Sequence, residues 1–353
     1  MLHIAQIAPL SESVPPRGYG GTERIVSYLT EELVKLGHDV TLYASADSIT
    51  NATLHAVCTH SLRLDTTVID KLALHYLMVE HVFQDHDTYD IIHNHIDYLP
   101  FSLLRRHSMP CVSTLHGRLD IPDLITVFSE FKEMPLVSIS NAQRHPLPTA
   151  NWQGTVYHGI PSDLYTCNEH PDNYLIYIGR MSQEKRVIDA IDIAIQSNRQ
   201  LIIAGKIDDT EIEYFESVIR PRLDHPLIEF IGEISEKKKT ELISNAAAFV
   251  FPIDWPEPFG LVMIEAMACG TPVIARARGS VREIIDPERT GFLIETNHDG
   301  VKAVQKISTI NRRLCRATFE QRFTASIMAQ NYLRIYDQII AAQHGRGPSS
   351  WVK

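Results

Sequence analysis

Glu257 and Glu265 stand eight positions apart in the stretch of this 353-residue chain that is richest in chemistry, Phe251–Ala275. A β-branched, aromatic run leads into a loop stiffened by Pro256 and Pro258, then into an apolar helix starting near Phe259, closing at Gly270 and stopped by Pro272. Gly260 allows the amides at that helix start to approach a ligand closely, where the free N–H groups and the helix dipole favour a diphosphate. A carboxylate beside an anion site is costly, so both glutamates are expected to accept hydrogen bonds from neutral hydroxyls, such as those of a sugar and a ribose. A second block, Tyr177–Arg186, ends a strand and clusters the bases Arg180 and Lys185; by itself it would pass for a solvated turn. A third, Pro15–Arg24, places Gly20 and Gly21 before a helix whose amides Thr22 could cap. It is not G-x-G-x-x-G, so the dinucleotide fingerprint is absent. Polar residues also gather at strand ends: His93, Asn94, His95 and Asp97, and then His116. Two histidines at i and i+2 point together only loosely, so acceptor recognition or plain polarity is a better reading of the first group than a metal site.

These blocks together resemble glycosyltransferase family 4, of the retaining GT-B class, and the likeness runs through nearly the whole chain. Its mark is Glu-x7-Glu within E-x-F-G-x-x-x-x-E-A-x-A-x-G-x-P-V, which Glu257–Val273 matches. The resemblance implies that Glu257 contacts hydroxyls of the donor sugar and Glu265 those of the ribose. Amides around Phe259, Gly260, Leu261 and Val262 would lie against the sugar and diphosphate. Arg180 and Lys185 take the place of the family's bases that bind the diphosphate and stabilise the leaving nucleotide, an electrostatic role for fixed cations. The glycine-rich loop with Gly20 and Gly21 would approach the donor phosphate, His116 would hydrogen-bond the donor sugar, and Ile234 would lie against the base. His93, Asn94, His95 and Asp97 are assigned to the acceptor. Gly-Gly-Thr-Glu-Arg and Leu-His-Gly-Arg-Leu-Asp look like a branch that includes pterin glucosyltransferases. The implied reaction is front-face transfer of a hexose, glucose first, from a UDP-sugar, with GDP-mannose as the main competing donor, to a small soluble hydroxyl acceptor, with no protein nucleophile, metal or cofactor. The pair Asp208-Asp209 reads as a surface turn rather than the metal-binding Asp-x-Asp of the other main glycosyltransferase fold.

The elements that must position these residues follow from periodicity. Short apolar runs alternate with segments of helical period, the pattern of βαβ units and parallel sheets. Strands are expected at Leu2–Ala8, Asp39–Ser45, Ile91–Asn94, Cys111–Leu115, Leu136–Ile139 and Thr155–Tyr157, with a helix over Thr22–Leu36. A second series covers Tyr174–Ile178, Gln200–Ala204, Leu227–Ile231, Ala248–Pro252 and Pro272–Ala275. The fold class is therefore α/β, with two Rossmann-like doubly wound domains and ligands at the carboxyl ends of the strands, in a cleft. The domains are expected at 1–163, joined by a crossover helix at about 326–344, and at 164–325, with Ser162–Asp172 as linker and 345–353 as a disordered tail. Hydrophobic residues make up 44% and charged residues 22%, enough for two cores.

A net charge of −10, most of it in the first 160 residues, argues against nucleic acid and anionic lipid as partners. Five scattered cysteines without CxxC spacing suit reduced thiols, and the first residues lack the basic flank of a signal peptide. The expected location is the cytoplasm. Three rivals reuse parts of this pattern: a GT-B epimerase, a phosphorylase, and a non-catalytic sugar-nucleotide-binding protein. No acid/base set for an epimerase is identifiable.

Overall fold

The computed structural model describes residues 1–63, 65–107 and 109–344. The expected disordered tail at 345–353 lies outside the described residues. The chain divides into two compact units, one formed by 1–159 with 325–344, the other by Ile160–Thr324.

The first unit is built on a seven-stranded sheet. Its strands are β1 (His3–Ile7), β2 (Asp39–Ser45), β3 (Thr53–Cys58), β4 (Ile91–Asn94), β5 (Cys111–Thr114), β6 (Leu136–Ser138) and β7 (Trp152–Thr155), in the order β3-β2-β1-β4-β5-β6-β7. Every pairing is parallel. Ala5, Ile7, Tyr43, Ile92, Leu115 and Leu136 belong to one buried cluster, as expected for strands covered on both faces. The helix Ala325–His344 packs on the helix Gly21–Lys35 and on β5, and so completes this unit.

The second unit carries a six-stranded parallel sheet. Its strands are β8 (Tyr174–Ile178), β9 (Gln200–Ala204), β10 (Ile228–Phe230), β11 (Ala248–Phe251), β12 (Val273–Arg276) and β13 (Gly291–Ile294), in the order β10-β9-β8-β11-β12-β13. Leu175, Tyr177, Ile191, Leu201, Val250 and Ile274 anchor its core.

In both sheets the strand order reverses beside the first strand, at β1/β4 and at β8/β11. At such a reversal of strand order, open α/β sheets bind ligands outside the carboxyl ends of the strands.

Four elements stand apart from the sequence reading. β3 and β13 carry no expectation, because β3 is a half-exposed edge strand and β13 is a four-residue run that opens on glycine. β7 spans Trp152–Thr155 rather than Thr155–Tyr157: its pairing with β6 includes Trp152 and Gly154, which apolar patterning undervalues. The first helix starts at Gly21, one residue before Thr22, with Gly20 as its N-cap and no side-chain cap bond, so Thr22 does not cap it.

Candidate functional site

The second unit concentrates the charged chemistry at its switch point. β8 ends at Ile178 and delivers Gly179 and Arg180; β11 ends at Phe251 and delivers the Pro256–Pro258 loop with Glu257. The Lys185 ammonium donates to Glu257 Oε2 at 2.6 Å, and Trp255 Nε1 donates to the same oxygen at 2.8 Å. Lys185 also lies 4.7 Å from the centre of the Trp255 ring, a cation–π contact that further fixes it. The loop carrying both bases is tethered from below by the buried Tyr177, whose hydroxyl lies 3.3 Å from the Arg180 carbonyl and 3.2 Å from that of Lys185. Burial pushes that hydroxyl far above the ordinary tyrosine range, so it remains a donor.

Two glycines let the Glu257 loop sit where it does. Gly260 has φ +81° and caps the helix Leu261–Ala268 without a side-chain bond. Gly279, at φ +55°, lies so close that a Cβ would fall 2.4 Å from the Glu257 carbonyl oxygen. The neighbouring Ser280 amide donates to that carbonyl at 2.9 Å. Phe259 is buried, while Gly260, Leu261 and Val262 are partly exposed at the helix start. The helix begins at Leu261 rather than near Phe259, because Gly260 takes the left-handed conformation and cannot be its first turn.

Glu265, 2% exposed, points back from the same helix to Lys239, whose Nζ lies 2.8 Å from Oε1; Oε2 has no hydrogen-bond partner. The structure adds a partner for each glutamate that the sequence reading did not name. Each glutamate is compensated by a lysine, Lys185 or Lys239, rather than by neutral hydroxyls alone, because burying a carboxylate without a cation would cost several kcal/mol. Arg180 reaches Glu184 Oε1 at 3.1 Å and Asp208 Oδ2 at 3.5 Å, and Lys206 reaches Asp208 Oδ1 at 2.8 Å. Asp208 is therefore no bland surface turn; it is held against the basic cluster. Ile234 is half-buried in the loop after β10, just ahead of the helix Glu236–Asn245 that carries Lys239.

The first unit presents different chemistry at its own switch point. Gly20 is buried in the loop after β1, where a Cβ would fall 2.8 Å from Pro16, and Gly21 is exposed. His93, Asn94 and His95 are fully interior, and their polar atoms are paired inside the unit. His93 Nδ1 lies 2.6 Å from the Tyr336 hydroxyl and Nε2 lies 2.7 Å from Thr114 Oγ1. The Asn94 amide donates to the Asp97 carbonyl and Ser113 Oγ, and its own oxygen accepts from the Ile96 amide. His95 Nε2 meets Gln6 Oε1 at 2.8 Å, and its Nδ1 meets His116 Nε2 at 2.9 Å. This is at odds with direct acceptor contact by these three residues: reaching an acceptor would break bonds that already satisfy buried polar groups. Asp97 alone of the four is exposed, at φ +52°.

Burial lowers His93 and His95 well below the ordinary histidine range, and neighbouring histidines push the same way. Burial brings His116 down to about 3. The ring of His158 stacks on that of His116 at 5.2 Å. Among the described residues, no group of three or more His, Cys, Asp or Glu side chains is arranged to hold a metal ion, and no helix is long and apolar enough to cross a membrane.

Sequence reasoning missed Gln6, Lys239 and Trp255. Gln6 had a signal, a lone amide inside an apolar strand; Lys239 was hidden in the run Lys237–Lys239, which reads as a solvated helix face.

Comparison with known proteins agrees with this division. Residues 19–152 match the model described as Glycosyltransferase Family 4, and residues 168–318 match that of Glycosyl transferases group 1. An uncharacterised glycosyltransferase of Methanocaldococcus jannaschii is 27% identical over 273 residues, covering 71% of this chain and 76% of the relative. In fold, the chain is similar to sucrose-phosphate synthase from Thermosynechococcus elongatus, with TM-score 0.79 and 20% identity over 97% of this chain and 100% of that one. It is likewise similar to HepE of Anabaena, solved with UDP-glucose, with TM-score 0.69 and 18% identity over 98% and 100% of the two chains. With both halves matched and two doubly wound sheets in place, the chain belongs to glycosyltransferase family 4, with the GT-B fold and activity of the hexosyltransferase type.

Proposed function

We propose that this chain moves a hexose, glucose first, from a UDP-sugar to a hydroxyl of a small soluble acceptor in the cytoplasm, with retention of configuration and without a metal ion. The observation that carries this reading is the Lys185–Glu257 pair at 2.6 Å, beside Arg180 and the Gly260-capped helix. Both bonds to Glu257 fall on Oε2, so Oε1 is the oxygen a sugar hydroxyl would meet. Glu265 Oε2, buried and without a partner, suits a ribose hydroxyl donor. The likeness to HepE supports uridine as the base, and the acid excess of the first 160 residues supports a soluble acceptor over an anionic lipid surface.

In the proposed step the bond from the anomeric carbon to the phosphate oxygen breaks, and its electron pair leaves with the nucleotide. The acceptor oxygen bonds to the same face, and its proton passes to the leaving phosphate oxygen. Arg180, Lys185 and the amides at Leu261 and Val262 stabilise the charge that develops there. Glu257 orients the sugar, and His116 is assigned to one of its hydroxyls.

Thermal-shift binding of UDP, GDP, ADP and NAD, each with and without EDTA, tests the donor reading. A selective shift with UDP that EDTA leaves in place supports it. A GDP-selective shift would change the donor, and stabilisation by NAD alone or by none would overturn the reading. An anomeric assignment of the glucosylated product by proton NMR then checks retention.

A further inference from the structure

The buried polar network of the first unit has a direction, and that direction fixes what His116 offers to a ligand. Starting from the far end, the Thr114 hydroxyl donates to Tyr332 at 3.0 Å, so its oxygen receives His93 Nε2–H at 2.7 Å. His93 is neutral, so its Nδ1 is an acceptor, and the Tyr336 hydroxyl donates to it at 2.6 Å. Tyr336 in turn accepts from Gln6 Nε2 at 3.2 Å, which turns Gln6 Oε1 towards His95 Nε2 at 2.8 Å. His95 must then donate through Nε2 and accept through Nδ1, where His116 Nε2 lies at 2.9 Å. Each link determines the next. Gln6, His93, His95, Thr114, Tyr332 and Tyr336 are all at most 2% exposed, so water cannot reset the chain.

We infer that Gln6, acting through His95, is a positioning residue that holds His116 as the Nε2–H tautomer, so that Nδ1 carries a lone pair for a hydroxyl of the sugar substrate. His116 Nδ1 supports this independently: it is enclosed and has no hydrogen-bond partner in the structure. A buried N–H left without an acceptor is rarer and costlier than an unsatisfied acceptor, so the enclosed atom is the bare nitrogen. The network therefore selects a ligand group that donates, a hydroxyl or ammonium, against one that only accepts. The assignment of a sugar hydroxyl as that group rests on the function proposed above; the tautomer does not.

Long-range proton–nitrogen NMR of 15N-histidine-labelled protein at pH 7.5 reads the tautomer without any ligand, with His116→Gln identifying the signal. Nε2–H is expected in the native chain and in Gln6→Glu, whose carboxyl keeps an acceptor oxygen for His95. A change in the His116 nitrogen shifts is expected in Gln6→Met, with the fold checked by circular dichroism. An Nδ1–H or doubly protonated His116 in the native chain would overturn the inference, as would an unchanged tautomer in a folded Gln6→Met. Calorimetric binding then separates this from the donor reading. Gln6→Met is expected to weaken UDP-glucose by about 10-fold, the scale of one well-placed hydrogen bond, while UDP binds as before. Equal loss for UDP and UDP-glucose would overturn the assignment to the sugar. Failure of the native chain to bind either would sink the donor reading and leave the tautomer result standing.

Discussion

The two units bury polar groups by opposite means. Around His95 the first unit uses neutral partners, a file of imidazoles, hydroxyls and one amide joined by successive hydrogen bonds. Around Glu257, Glu265 and Asp189 the second unit uses charge against charge: Lys185, Lys239, and Arg276 with Arg186. Neutral chains resist protonation and hold a tautomer; ion pairs present fixed charge to a substrate that is itself charged. In the proposed reaction the neutral network would serve a hydroxyl and the ion pairs a diphosphate.

The comparison can be broken most forcefully at Arg276. Its guanidinium is 2.9 Å from Asp189 and 3.0 Å from the Pro252 carbonyl, with both side chains buried. Arg276→Met leaves a buried carboxylate short of a cation and is expected to cost about 3–5 kcal/mol in denaturant melts. No change in the melt would show that Arg186 alone suffices. Next in size, Lys185→Ala removes the cation on Glu257 and at the leaving group, and steady-state kinetics should show kcat lower by about 10²–10³-fold. A loss confined to KM would make Lys185 a binding residue only.

The neutral network is sharpened by pH. Burial, as the first cause, holds His93 and His95 well below the ordinary histidine range near 6.5 that the unfolded chain keeps. Below about 6.5 the unfolded state therefore binds protons that the folded state refuses, so stability is complete above that pH and falls as pH drops below it. The slope is about 1.4 kcal/mol per pH unit for each histidine. Asp189 responds elsewhere. Burial would raise its carboxyl, but hydrogen bonds from Arg186, Asn297 and Arg276 hold it below 3.8, so its contribution is lost only in stronger acid. Calorimetric melts between pH 7.5 and 4.5 should thus report the first unit's histidines, and a flat profile there would contradict their neutral burial. The smallest effect is expected from Ser235→Ala, which removes the cap bond to the Lys238 amide on the helix that carries Lys239. It should lower stability by about 1 kcal/mol in the same melts.

Much of this was legible along the chain because apolar runs buried on both faces identify parallel strands without reference to neighbours. Tyr174–Ile178 and Gln200–Ala204 have the same limits in sequence reading and structure. The edge strand Thr53–Cys58 did not stand out, since none of its residues is fully buried and its sequence alternates weakly. The charged cluster was half legible. Glu257 and Glu265 are marked by spacing and Arg180 and Lys185 by the family resemblance, whereas Asp208 and Lys239 look like solvated charges until the fold sets them against Arg180 and Glu265.

By itself the sequence determined the residue types, the spacing of the two glutamates and the alternation that makes two parallel sheets, because these depend on contacts within a few turns of chain. The tertiary structure decided which groups pair. Gln6 meets Tyr336 across 330 positions, and His93 meets the same hydroxyl across 243. Such pairings set tautomer, charge compensation and burial, and local sequence carries no information about them, since the partner is chosen by packing of elements far apart in the chain.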